Sequence, residues 1–562
     1  MKTPIIYGSS FKGETTVIPP PPAADNSCIC IRLIQSDPDH PSAISISQAL
    51  ADGYTGSKAS LQTAIAWLVE CESSHPGCTP PVVPLPYRIL ELHSGSNGQI
   101  SARVLEDSGR VEPYACLSHR WGPSTPFCRT LKENLTAHRE SVPWTKLPKT
   151  FQQAAMVTVR LGLKYLWIDS LCIVQDDSED WMIQAAQMCD IFRGSRVTLA
   201  ATNSTDSGDG LFRSVHKVEL KPVGRKDKKV TMRISPSHST DPRDRRAVSN
   251  YPLLTRGWVF QERLLSSRTI HFSIDELSFE CRQLQAQCEC GTNAAWDQDR
   301  VDYSDSFQVT DVVNVRNQWH HLVNDFSVLD LTFHSDRLPA LAGIARQFGT
   351  THKEILGRYV AGLWAHTLLH DLLWHTAVPS PRQPPKARAA PSWSWAASPS
   401  SKNWNVYPKA TDDLQVVSFR VDLAGPDEYG PVKLGATVTL RGYLAPGSLK
   451  ILPETSEGFS TRTPSYVHWA AKNEPTKTCP MWNDYLLSTE RNEGYIQPGS
   501  TLYLLKTGFI VFQEVKCQMC LVLLPIDEGN SVYERVGMVD EAPQDDVDLW
   551  FRDAPAQVLT LV

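Results

Sequence analysis

Apolar runs and amphipathic stretches alternate in a regular order between residues 114 and 202. Tyr114 to Ser118 is a short apolar run suited to a strand buried on both faces, and it ends in the polar turn His119, Arg120, Trp121, Gly122, Pro123. Pro148 to Gly162 carries Phe151, Ala154, Ala155 and Val159 on one face, which predicts a helix with Gly162 at its stop. Tyr165 to Ile168 predicts a second buried strand, interrupted near its carboxyl end by Asp169 and Ser170, after which Leu171, Cys172 and Ile173 continue the apolar run. Ser178 is placed to cap a helix with Trp181, Ala185, Met188 and Phe192 inward, and Arg196 to Thr202 predicts a third strand. Strand, helix, strand, helix, strand is the pattern of a parallel sheet with right-handed crossovers, so the unit is α/β.

That architecture locates chemistry beyond the carboxyl ends of the strands, near the point where strand order reverses. Those ends carry Ser118, His119, Arg120 and Trp121 from the first strand, Asp169 and Gln175 from the second, and Asn203 from the third. A carboxylate in a buried strand costs several kcal/mol unless it is paired, so Asp169 needs partners or a task. Further on, Thr255 to Phe272 predicts a short helix leading into a strand, with Trp258 and Glu262 four residues apart on one helix face. Glu262 has a structural reading, a salt bridge to Arg256, Arg263 or Arg268. It also has a chemical one: a carboxylate beside an aromatic has a raised pKa and stabilises a developing cation, as glycosidic-bond cleavage requires.

The outer segments follow other patterns. Residues 1–26 end in a proline run and predict a flexible lead, 27–109 a helical and strand extension, and 203–250 a polar surface insertion within an α/β domain of 110–285. A mainly helical region is expected over 286–400, including an apolar face at Leu363 to Leu373 and a strand that puts Trp393 and Trp395 on one side. Short alternating runs from Leu414 onward predict a β-rich domain over 401–562, a small barrel or sandwich.

With 562 residues the chain needs more than one core, and 41% hydrophobic with 21% charged residues describes a folded soluble protein. A net charge of -6 argues against a general nucleic-acid binder, and no run is long enough to span a bilayer or to act as a secretory signal, which predicts an intracellular, cytoplasmic protein. The fourteen cysteines are read mostly as reduced core residues. Cys71, His75 and Cys78 have a C-x3-H-x2-C spacing that suits three zinc ligands, with Cys28, Cys30, Cys288 or Cys290 as conceivable fourth partners. Three ligands alone are a weak signal, so no metal is assigned. A P-loop is absent, which gives no support to self-contained ATP-driven assembly.

Five stretches in order, YACLSHRWG from Tyr114, LPKTFQQAA from Leu147, GLKYLWIDSLCIVQDDSEDW from Gly162, MCDIFRGSRVTLAAT from Met188 and LLTRGWVFQERLLSSRTIHF from Leu253, resemble the successive motifs of the fungal heterokaryon-incompatibility (HET) domain family. WLVECESSHPGC before them, and DRLPALAGIA, YVAGLW and PSWSWA after them, are similar to flanks of longer members. The chain departs from the pattern at His119 and Arg120, where many members have a tyrosine or cysteine pair. The resemblance implies fungal non-self recognition and regulated cell death, with an incompatibility partner or a homo-oligomer as the assembly.

HET domains in turn resemble Toll/interleukin-1 receptor (TIR) domains, which implies a TIR/flavodoxin-like parallel sheet. It also puts Glu262 at the position of the glutamate that cleaves NAD at its nicotinamide bond. On this reading NAD is a substrate, no cofactor is needed, Glu262 is catalytic, and Ser118, Arg120, Trp121, Asp169, Gln175 and Trp258 line the NAD site. The alternative it leaves is a non-enzymatic signalling or self-association module.

Overall fold

In the computed structural model the described residues are 30–35, 53–96, 98–106, 109–122, 128–214, 217–220, 230–235, 245–283, 287–289, 299–376, 378–382, 388–404, 409–410, 414–451, 467–472, 476, 478–486, 496–512 and 515–562. The flexible lead expected over 1–26 lies outside them. The chain divides into two compact units, residues 1–304 and 305–562, so the helical and β-rich stretches after residue 305 share one unit.

The first unit is built on an eight-stranded sheet whose centre is parallel. Its strands in chain order after β1 (Cys30–Gln35) are β2 (Arg88–Ser94), β3 (Ile100–Glu106), β4 (Tyr114–Ser118), β5 (Tyr165–Trp167) and β6 (Val197–Ala200). There follow β7 (Lys217–Leu220), β8 (Val230–Ser235), β9 (Arg268–Phe272), β10 (Leu277–Cys281) and β11 (Gln287–Cys288). Across the large sheet the order is β11-β10-β9-β6-β4-β5-β2-β3. β4 runs parallel to β5 on one side and to β6 on the other, and β6 runs parallel to β9. Antiparallel β2 and β10 flank this core. Every residue of β4, β5, β6 and β9 is buried, as expected where crossover helices cover both faces of parallel strands. Strand order reverses at β4, so the crevice beyond its carboxyl end is where this topology puts a ligand.

The crossover helices are set by local signals. Ser57 caps α1 (Lys58–Ser74) by accepting from the Ser60 amide. α2 (Leu135–Glu140) is short, and α3 (Lys149–Arg160) stops at Gly162, whose φ of +76° is easy only for glycine. α4 (Asp169–Cys172) is a single turn, and α5 (Ser178–Gly194) is capped by Asp177, whose carboxylate accepts from the Glu179 and Asp180 amides. Two expectations are thereby corrected. Ser178 is the first helical residue and not the cap, because the longer reach of Asp177 satisfies two orphan amides at once. Asp169 does not interrupt a strand but opens α4, where an acid faces the positive end of the helix turn.

Last comes α6 (Gly257–Leu265), entered through the turn Pro252–Thr255. Ala200, Tyr251, Leu253, Leu254 and Val259 form one buried cluster that holds this entry against the end of β6. Each such buried side chain is worth roughly 1.5–3 kcal/mol, which fixes α6 over the strand ends. Within the polar insertion, β8 pairs with β1 on one side and β7 on the other as a separate three-stranded sheet.

In the second unit Val312–Ser327 and Pro339–Thr351 are amphipathic helices. Leu363 to Leu373 is not one apolar helix: Leu363–Trp364 is a short strand and Leu368–Asp371 a helical turn. Trp393 and Trp395 also do not share a strand, since Trp395 starts a 3-10 turn capped by the Ser394 hydroxyl. The β-rich part closes on itself: Thr501–Phe512, Val515–Asp527, Val532–Pro543, Ala556–Leu561 and Thr437–Ile451 pair in a ring of five strands. Closure leaves no open edge among those five, which is how small barrels avoid pairing with other chains. No helix among the described residues is long and apolar enough to cross a membrane.

Candidate functional site

Beyond the carboxyl end of β4, three elements bring acids and their partners together. Glu262 sits one turn from the end of α6 and is 5% exposed. Its Oε2 accepts a hydrogen bond of 2.5 Å from the hydroxyl of Ser118, the last residue of β4. Asp169, at the start of α4, accepts from the Trp121 indole at 2.9 Å and from the Ser170 amide at 2.6 Å. His119 stands beside Asp169, its Nε2 3.8 Å from Asp169 Oδ1 and its ring edge-on to Phe151. Arg256, immediately before α6, donates to the His119 carbonyl at 2.7 Å. The strand-end turn and the helix entry are thus tied by the Arg256 side chain as well as by the Ser118–Glu262 bond.

Burial dominates the electrostatics here. Loss of water pushes the Glu262 carboxyl up to about 7, with the negative charge of Asp169 adding to the rise and Arg256 and the Ser118 hydroxyl opposing it. The same burial pulls His119 down to about 4, against the attraction of Asp169, so its imidazole is neutral at physiological pH. A carboxyl balanced between its two forms near neutrality, hydrogen-bonded to a hydroxyl, is suited to general acid–base work or to stabilising a cation.

The remaining sequence-derived site residues are deployed around this cluster. Arg120 donates to the Pro252 carbonyl at 2.9 Å, bracing the turn that leads into α6. Gln175 gives its amide to the carbonyls of Asp169 and Ile173, fixing α4 from below. Trp258 packs edge-on against Trp181 of α5. Asn203 donates to the Asn250 carbonyl and accepts from Arg213, so the tip of β6 works as a brace for the insertion. Neither arginine of the salt-bridge reading next to Glu262 reaches it: Arg263 is bidentate on Glu280, and Arg268 donates to the Cys71 sulfur and the Arg196 carbonyl. Ser118, His119, Trp121, Asp169, Arg256 and Glu262 are the residues brought together. The position of Arg256, immediately before α6 and facing a strand-end carbonyl, is a long-range outcome with no local signal.

The turn that carries Trp121 is held close by Gly122. Its φ is +87°, and a Cβ there would lie 2.2 Å from the Asp206 side chain, so any other residue would push the loop away from Asp169.

A stability test follows from the Glu262 environment. A folded pKa of about 7 against an ordinary value of 4.5 means that the native state holds a proton the unfolded chain has released between those values. The contribution of protonated Glu262 is complete below pH 4.5 and is lost as pH rises through 7. Glu262→Gln, which is neutral at every pH, is therefore expected to gain on the wild type across that window, by about 3 kcal/mol at pH 8. Urea denaturation of both proteins at pH 5 and pH 8 measures it. His119 acts in the opposite direction in both proteins and drops out of the difference.

The chain matches no curated protein and no solved structure. Residues 114–262, from the first residue of β4 to the buried glutamate itself, match the model of the family described as Heterokaryon incompatibility protein (HET), so the segment that carries the cluster is similar to that family.

Proposed function

We propose that this is a heterokaryon-incompatibility-type protein of fungal non-self recognition and regulated cell death, acting in the cytoplasm by TIR-like cleavage of NAD at the nicotinamide glycosidic bond. The observation that carries the reading is the buried Ser118–Glu262 pair at the strand-order reversal of a parallel sheet, with Asp169 and Trp121 beside it. In the reaction the bond between ribose C1′ and the nicotinamide nitrogen breaks, and its electron pair leaves with neutral nicotinamide. The ionised Glu262 stabilises the oxocarbenium-like ribose, and water adds at C1′ and releases its proton, giving ADP-ribose. Ser118 holds the carboxylate in place, and Asp169 orients the Trp121 indole towards the rim.

One observation favours a second reading. Glu262 is only 5% exposed, which suits a buried latch in a non-enzymatic module that signals by self-association or by binding an incompatibility partner. Nicotinamide release from NAD by concentrated, assembled protein separates the two. The enzymatic reading requires turnover by the wild type that Glu262→Gln lacks. Equal turnover by both removes Glu262 from the chemistry, and no turnover in any assembly state leaves the module.

A further inference from the structure

At the opposite end of the same sheet, four metal-ligating side chains converge. Cys71 is in the last turn of α1, His75 follows that helix, Cys78 ends the 3-10 turn Pro76–Cys78, and Cys281 is the last residue of β10. Their ligand atoms all lie within 4.8 Å of one another. The three cysteines are free and buried. We propose that Cys71, His75, Cys78 and Cys281 bind one structural zinc ion.

The geometry fits that metal. Zinc–sulfur bonds of about 2.3 Å and zinc–nitrogen bonds of about 2.0 Å at tetrahedral angles put sulfur and nitrogen about 3.5 Å apart and two sulfurs about 3.8 Å apart. His75 Nδ1 is 3.5 Å from Cys281 Sγ. Three thiolates and one imidazole form a closed set with no position left for water, the pattern of a structural site and not of a catalytic one.

The surroundings are those of an ion-bearing cluster. Arg268, opposite Cys281 in the β9–β10 register, donates through Nε to Cys71 Sγ at 3.2 Å, and its positive charge offsets the net negative charge of a three-thiolate zinc centre. The Gly77 amide donates to the Gln283 side chain at 2.8 Å, which fastens the Cys78 turn to the residues after β10. Of the fourth partners considered from spacing, Cys288 is disulfide-bonded, and the side chains of Cys28, Cys30 and Cys290 lie outside the described residues.

Cys281 faces the start of β9, at the amino ends of the parallel strands, whereas Ser118 and Glu262 lie beyond their carboxyl ends. The ion therefore staples α1 to the edge of the sheet, alongside the stacking of Trp67 on Phe279, and serves the fold without entering the site. The site-bearing segment, residues 114–262, contains none of the four ligands, so this inference stands apart from the NAD reading.

Elemental analysis of the full chain, purified without chelator and dialysed, tests the proposal. About one zinc per chain is expected in the wild type and at least tenfold less in Cys281→Ser. Cobalt-loaded protein is expected to show the intense visible ligand-field bands of tetrahedral thiolate coordination. His75→Cys, which keeps a closed four-ligand set, should retain zinc with its cobalt spectrum shifted toward four-sulfur coordination, and it decides the matter if Cys281→Ser does not fold. A wild type purified metal-free that fails to take up added zinc, or one with these thiols joined as a disulfide, overturns the site. Full zinc in Cys281→Ser overturns the fourth ligand.

Discussion

Glu262→Gln is expected to lower nicotinamide release from NAD by about 10²–10⁴-fold, with little change in the fold. Glutamine keeps the shape of glutamate, and its amide oxygen accepts from Ser118 as the carboxylate does. It cannot carry the negative charge that a developing oxocarbenium needs, and loss of one well-placed acid–base or electrostatic group is worth that range. The wild-type rate also has a predicted pH dependence. The carboxylate is the working form and titrates at about 7, so kcat/KM for NAD should rise between pH 6 and pH 8 and then level. Ser118→Ala removes a bond that favours the ionised form, which moves the rise to higher pH without abolishing turnover. That shift separates an electrostatic role for Ser118 from simple packing.

The second large effect lies in the other unit and concerns stability. Arg535→Leu is expected to destabilise the C-terminal unit by about 3–5 kcal/mol, read as a lower urea midpoint. Arg535 is fully buried, stacked 3.5 Å over the Trp374 ring, donating to the carbonyls of Leu372 and Trp374 and paired with Asp484 at 3.0 Å. Its removal takes from Asp484, also fully buried, the charge that pairs with it directly and leaves only the more weakly coupled Lys402. Burial already pushes that carboxyl up to about 6 with the arginine present. The double replacement Arg535→Leu with Asp484→Leu should recover much of the loss, because the cost comes from an unpaired ion and not from absent attraction. If the double variant is as unstable as the single one, the damage is in the packing around Trp374.

Much of the first unit was legible in its hydropathy. Tyr114–Ser118 is a five-residue fully buried run, and such runs are short because helices cover both faces of a parallel strand. The convergence of Ser118 with Glu262 was legible too, since parallel topology sends all strand ends to one side. What could not be read were choices settled by distant partners. Trp258 shares a helix face with Glu262 in the sequence, yet Trp181 on a separate helix draws it aside. Gln175 had the polarity of a ligand contact, but the nearest unsatisfied carbonyls, those of Asp169 and Ile173, take its amide. Cys281 was invisible as a partner of Cys78 because nothing local links a strand end to a turn so far back along the chain. The Trp393 to Ala397 stretch misled for another reason: alternation of tryptophans imitates a strand, and the Ser394 cap overrides it with a turn.

Burial holds the Glu262 carboxyl near neutrality. Infrared difference titration of the carboxyl band, wild type against Glu262→Gln, reads that group alone. A protonated-carboxyl signal that disappears with a midpoint near pH 7 and is absent from the variant is the predicted result. A group already ionised at pH 5 would show instead that Glu262 is solvated or paired with a cation and not enclosed with Ser118.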